Sequence, residues 1–182
     1  MAEDEGVLTD LDSMGADPGN APGNGMDDQP TAGFVTQYVK DLSVENPRAP
    51  KSFRFTEAPA LDVQFNIDAK PVEGDDLHEV GLNITCTART PEGVAYIVEL
   101  TYCGLVGMRN MPEDQAHMFL YSEAPRILFP FARAVVADAV RDAGFPPLML
   151  DPIDFQGLYI QQLQQRRAEG AEGLPPEGPA QA

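Results

Sequence analysis

Leu61-Asp62-Val63-Gln64-Phe65-Asn66-Ile67-Asp68-Ala69 alternates apolar and polar side chains without a break. A period of two sends successive side chains to opposite faces of a pleated backbone, so this stretch reads as a half-buried strand. Downstream, Val80, Leu82, Ile84 and Cys86 alternate with Gly81, Asn83, Thr85 and Thr87, a second strand. Pro91-Glu92-Gly93 turns the chain into a third, Val94 to Tyr102. There Val94, Tyr96, Val98, Leu100 and Tyr102 share one face, and Ile97, Glu99 and Thr101 share the other. Upstream, Phe34 to Val44 reads as a further strand, with Val35, Val39, Asp41, Ser43 and Glu45 alternating against Phe34, Tyr38, Leu42 and Val44. A long connection with Pro47, Pro50 and Pro59 separates it from Leu61. Four strands with short turns predict an antiparallel sheet, because a parallel pair needs a helical crossover.

Beyond residue 110 the period changes. Pro112, Glu113 and Asp114 suit the first turn of a helix, with proline early and acids at the positive end of the dipole. Ile127, Phe131, Val135 and Ala139 recur every four residues, with Leu128, Ala132 and Val136 beside them, and Pro130 is expected to start or kink that helix. Gly144 and then Pro146-Pro147 end it. A last helix is expected with Asp151 as N-cap and Pro152 first inside, carrying Phe155, Leu158, Tyr159 and Leu163 and closing on Arg166 and Arg167. Strands followed by helices predict an α+β fold: a four-stranded antiparallel sheet with C-terminal helices packed on one face. Two helices cover only one face. The strands show apolar groups on both, so a second copy of the chain is expected to cover the other.

Charge divides the chain further. It has 182 residues, 12 basic and 29 acidic, for a net charge of −17. Residues 1–33 hold eight acids and no base, amid Gly, Pro and Asn, and are expected to be a disordered acidic tail. Within that tail Val7, Leu8, Leu11 and Met14 fall at helical spacing. Residues 168–182 are expected to be a second disordered tail, leaving 34–167 as the folded domain with a net charge of −6. A chain this acidic is not expected to bind nucleic acid, which is gripped by clustered Lys and Arg. No apolar run has the ~18–20 residues of a bilayer crossing, so membrane insertion is not expected. Met-Ala-Glu-Asp-Glu at the start lacks the basic and apolar regions of a secretory signal, which predicts a cytoplasmic protein.

Catalysis is hard to build from these residues. His78 and His117 have no local nucleophile or orienting partner in the sequence. Cys86 and Cys103 lie in strand patterns, where a thiol ordinarily serves packing, and their spacing makes no metal pair. Dinucleotide, phosphate-loop, zinc-hydrolase and serine-hydrolase motifs are all missing. Neither enzyme, cofactor nor metal is therefore expected. Instead, Phe53, Phe55, Val63, Phe65, Ile67 and Tyr159 suggest an apolar groove beside an anionic surface. Such a groove binds apolar polypeptide without sequence specificity, and the acidic tails oppose self-association.

Three blocks carry a resemblance to a known family. YVKDLSVENPRAP at 38–50 resembles the opening strand of the SecB protein-export chaperones. ILFPFAR at 127–133, followed by GFPPLMLDPIDFQGLY at 144–159, resembles their helical half, and VELTYCGL at 98–105 is similar to their third strand. The resemblance spans about residues 34–167, and the N-terminal tail is longer and more acidic than the family leads one to expect. It implies a cytoplasmic homotetramer, a dimer of dimers without ATPase or cofactor. Such a chaperone keeps unfolded secretory preproteins translocation-competent and delivers them to SecA, whose short basic zinc-bearing tail docks on an acidic sheet face. Matching positions for SecA binding are Asp41, Glu45, Ile97 and Glu99. The client groove carries over to Val63, Phe65 and Ile67, with Phe53 and Phe55 of the connection. Val98, Leu100 and Tyr102 are expected at the subunit interface. Dedication to an antitoxin or another specific client is the main alternative, and a small-ligand enzyme with a closed polar pocket is the second.

Overall fold

The computed structural model describes residues 29–72 and 77–172. The alternating stretches become β1 (Thr31–Glu45), β2 (Ala60–Pro71), β3 (Leu77–Thr90) and β4 (Gly93–Arg109). They form one antiparallel sheet in the order β1-β4-β3-β2. Pro91 and Glu92 make the β3–β4 turn, and Gly93 takes the positive φ of 134° that the turn requires. The helical half runs through α1 (Glu113–Met118), a π-helical turn (Phe119–Glu123) and α2 (Ala124–Asp142), and ends in α3 (Phe155–Glu172).

Register explains which side chains form the core. Phe65 lies opposite Ile84, which lies opposite Leu100; Ile67, Leu82 and Tyr102 form the next row. Directly opposed residues share a face. That face is covered by α2 through Leu128, Ala132, Val136 and Val140, all fully buried. Gly104 leaves no room for a side chain between sheet and helix: a Cβ there would lie 2.9 Å from Leu128 Cδ2 and would overlap the Phe34 ring.

Several expectations need correction. Val98, Leu100 and Tyr102, expected at the subunit interface, are buried in the chain's own core beneath α2, so that face is already occupied within one subunit. The helix-free face is mixed: Leu77, Cys103 and Leu105 make one end apolar, and the rest is largely polar. It carries Asp62, Gln64, Asn66, Asp68, Asn83, Thr85, Thr101 and Glu99, and Ile97 sits among polar neighbours. β1 does not keep a single alternation, because register shifts at Phe34/Thr36 and Val39/Asp41 insert extra residues. Val39, Leu42 and Val44 therefore share the helix side, whereas Tyr38, Asp41, Ser43 and Glu45 share the helix-free side.

In the helical half, Pro130 does not start α2, which begins at Ala124 and runs through it. Pro130 and Arg126 lie on the exposed side, where the carbonyl that loses its N–H partner meets water. Pro125 follows the π turn, in which Ala124 N–H donates to the carbonyl of Phe119, and the widened turn makes room for the ring. Asp154, not Asp151, caps α3: its Oδ1 accepts from Gly157 N–H at 2.9 Å. Gly144, with φ of 91°, ends the α2 segment as the sequence suggested. β1 begins three residues before the expected domain boundary at 34, and the α3 backbone continues to Glu172. The expectations for residues 1–28 and 173–182 lie outside the described residues.

Candidate functional site

Two features stand out, a groove on the helix side and a charged patch on the opposite face. The groove is positioned by three aromatic rings. Phe129 of α2 meets Phe65 of β2 edge-on at 6.2 Å and Phe155, the first residue of α3, edge-on at 5.7 Å. With its first turn pinned there and by the Asp154 cap, α3 stands beside edge strand β2. The gap between them is an open groove of about 320 Å³. Phe65 and Ile67 line it from β2, Leu158, Tyr159, Gln162, Leu163 and Arg166 from α3, and His117 and Tyr121 close one end. His117 stacks on Tyr121 at 4.6 Å, and its Nδ1 shares a 2.8 Å hydrogen bond with the Tyr159 hydroxyl, which fixes that end.

The structure brings only part of the expected client lining together. Phe65 and Ile67 line the groove, and Val63 continues their row along β2, half-buried against the core. Phe55 is half-buried against the core, whereas Phe53 packs on Phe145 at 5.4 Å, beyond the end of α2. Phe145 in turn packs on Tyr96 at 4.9 Å. Phe53 and Leu61 remain 54% and 48% exposed, and Leu61 lies opposite Ala88 near the β3–β4 turn. Leu158, Leu163, Tyr121 and His117 were not picked as client contacts from sequence. Leu158 and Leu163 belong to the apolar row of α3, whose partner surface the sequence does not reveal, whereas Tyr121 and His117 lie in the π turn and α1.

On the helix-free face, Ser43 pairs with Glu99, and Glu45 pairs with Ile97; Asp41 lies opposite Thr101. Asp41 and Glu45 therefore flank Glu99 across the β1–β4 boundary, each about 8 Å from it by strand geometry. None of the three carboxylates forms an ion pair among the described residues. The base nearest in sequence is already engaged: Lys40 Nζ meets Glu79 Oε1 at 2.5 Å, and the Tyr38 hydroxyl donates to Glu79 Oε2 at 2.6 Å. These bonds hold the Glu79 carboxyl below its ordinary range, the lysine contributing most, and raise the Tyr38 phenol to about 12. Beside them Thr101 Oγ1 donates to Asn83 Oδ1 at 2.8 Å, and Asn83 Nδ2 donates to Asp68 Oδ1 at 2.7 Å. The result is a hydrogen-bonded polar region beside an acidic corner without ion pairs among the described residues.

Chemistry of other kinds finds little support. Cys86 and Cys103 are buried, and burial pushes both thiols up to about 11, far from the thiolate a nucleophile needs. His117 is partnered by a phenol rather than by a carboxylate and a nucleophile. No helix among the described residues is long and apolar enough to cross a membrane.

One face of the sheet thus carries an open apolar groove, and the other carries three carboxylates that form no ion pair among the described residues. Residues 26–166 match the family model described as "Preprotein translocase subunit SecB". The chain is 60% identical to the protein-export protein SecB of Erythrobacter litoralis, over 99% of this chain and 98% of that one. It is 55% identical to that of Novosphingobium aromaticivorans, over 96% and 98% of the two chains. Among solved structures it is similar to the Mycobacterium tuberculosis Rv1957 SecB-like chaperone in complex with a ChAD peptide from the Rv1956 HigA1 antitoxin. That match has a TM-score of 0.57 at 15% identity and covers 67% of this chain and 90% of that one. The chain belongs to the SecB family of protein-export chaperones.

Proposed function

We propose that this chain holds unfolded secretory preproteins in the groove between β2 and α3 and passes them to SecA at the acidic corner of the opposite face. The observation that carries the client half is the open lining of Phe65, Ile67, Leu158, Tyr159 and Leu163. A folded protein hides its apolar segments, so only a stretched chain can fill such a groove. Exposed Phe53 and Leu61 offer the same client further apolar contact. Asp41, Glu45 and Glu99, with Ile97 beside them, suit a short basic segment with one apolar side chain, which supports the SecA assignment.

The working particle is a cytoplasmic homotetramer, a dimer of dimers. Support for self-association comes from edge strand β1, whose Val39, Leu42 and Val44 stay exposed on the helix side, and from Phe131 of α2, 52% exposed. An edge strand with free backbone groups and an apolar strip is a natural place for a second copy to pair. Several weak grooves acting on one client then raise affinity by orders of magnitude while each contact stays exchangeable. The rival reading, a chaperone dedicated to an antitoxin, draws on a fold likeness at 15% identity, against 60% identity to a protein-export relative.

Light scattering tests the proposal. A denatured secretory precursor diluted from urea should stay soluble at one tetramer per precursor, and added SecA should capture the complex. Aggregation as fast as without the protein would overturn the client role; capture of an antitoxin but no precursor would favour the rival.

A further inference from the structure

We propose that the groove between β2 and α3 has an occupant within the chain itself: the N-terminal segment around Val7, Leu8, Leu11 and Met14, which competes with clients for that seat. The proposal rests on the client reading of the groove, and goes beyond it by naming a competitor. Two properties of the groove point to an acidic apolar segment. Its floor is apolar, and its lining includes one cation, Arg166, and no carboxylate. The chain has a net charge of −17, and the helix-free face, whose Asp41, Glu45 and Glu99 form no ion pair among the described residues, would repel an acidic segment.

The N-terminal segment has the complementary pattern. Val7, Leu8, Leu11 and Met14 supply apolar groups at spacings that share one helical face, while Glu3, Asp4, Glu5, Asp10 and Asp12 surround them without any base. The segment lies outside residues 26–166, which match the family model.

Reach is sufficient. Thr31 begins β1 opposite Arg109, and Ile67 lies three strands away, in the row of Leu82, Tyr102 and Val39. Three strand spacings and eight residues of strand rise separate the two points by about 30 Å. Residues 15–30 span up to about 50 Å when extended and about 20–24 Å on average as a flexible chain. A tether of that length gives an effective concentration in the millimolar range. A seat of about millimolar intrinsic affinity would then lower client affinity about two- to fivefold, filtering out weak clients and yielding to extended ones.

The test uses the full-length chain. Thr9→Cys is labelled with a benzophenone maleimide, since Cys86 and Cys103 are buried and unreactive. Photo-crosslinks should map to Ile67, Tyr159 and Gln162 of the same subunit and disappear with saturating reduced, carboxymethylated ribonuclease A. Leu8→Ser with Leu11→Ser should tighten binding of that unfolded probe two- to fivefold. Cross-links on another face, or only between subunits, overturn the proposal, as does unchanged probe affinity in the doubly substituted chain. Ile67→Asp separates the two readings. If it weakens probe binding while the N-terminal variants change nothing, the groove stands and the competitor falls. If probe binding survives Ile67→Asp while the cross-link still lands in the groove, the segment keeps its seat and the client reading falls.

Discussion

Ile67→Asp places a carboxylate on the groove floor, next to Phe65 and facing Leu158 and Leu163. A client Phe side chain presents about 150–250 Å² of apolar surface. Seating half of it against Ile67 and Phe65 removes about 100 Å² from water, worth about 2.5 kcal/mol at ~25 cal/mol per Å². A carboxylate forfeits most of that and adds the cost of its own partial desolvation. A loss of about 2–3 kcal/mol per groove follows, or roughly 30- to 150-fold in Kd. The assay is fluorescence anisotropy with a dye-labelled apolar peptide short enough to fill a single groove, so that multivalency cannot mask the loss. Ile67 is half-buried, so circular dichroism and native mass must show that fold and assembly survive. Gln64→Asp is the control: it adds the same charge to the same strand on the helix-free face. Affinity within twofold of the parent for Ile67→Asp, or equal weakening by Gln64→Asp, would refute the groove assignment and leave only a net-charge effect.

Asp41→Lys with Glu45→Lys should weaken SecA binding about tenfold or more at low salt and leave peptide binding unchanged, as measured by titration at two ionic strengths. Unchanged SecA affinity would remove the acidic corner from the account. Gly104→Ala should lower stability by about 1–3 kcal/mol in denaturant unfolding, because the new methyl group overlaps Phe34 and crowds Leu128; an unchanged midpoint would contradict the helix-on-sheet packing. Glu79 contributes a pH dependence of definite sign. Its folded pKa lies below the unfolded value, so its stabilisation is present above about pH 4.5 and is lost as pH falls through the folded value. Lys40 is half exposed and the pair is screened, so Glu79→Gln should flatten the fall in melting temperature between pH 6 and 3 only slightly. A steeper acid slope in the variant would be the wrong sign.

What the sequence disclosed follows from where one rule acts alone. β2 and β3 alternate without interruption, and both are found in the register their apolar rows demand. β4 shows why alternation is insufficient by itself: it separates Val98, Leu100 and Tyr102 from Ile97, Glu99 and Thr101 but does not say which set meets the helices. The deciding fact is tertiary, that Leu128, Ala132 and Val136 of α2 lie over the first set. In β1 two inserted residues switch the phase, so Tyr38 joins Asp41, and Val39 joins Leu42. The Asp151-Pro152 pair imitates a helix start, but the Asp154 carboxylate takes the Gly157 N–H and sets the boundary. Of the groove, Phe65 and Ile67 were legible as the face of a strand. The wall they oppose on α3 emerges only through the stack of Phe65, Phe129 and Phe155.

Native mass spectrometry of the purified protein, alone and after mixing with a denatured secretory precursor, addresses assembly and client capture together. The account predicts a particle of four 19.7 kDa subunits that gains the mass of one precursor. A single 19.7 kDa subunit that stays free of precursor at every ratio would contradict it.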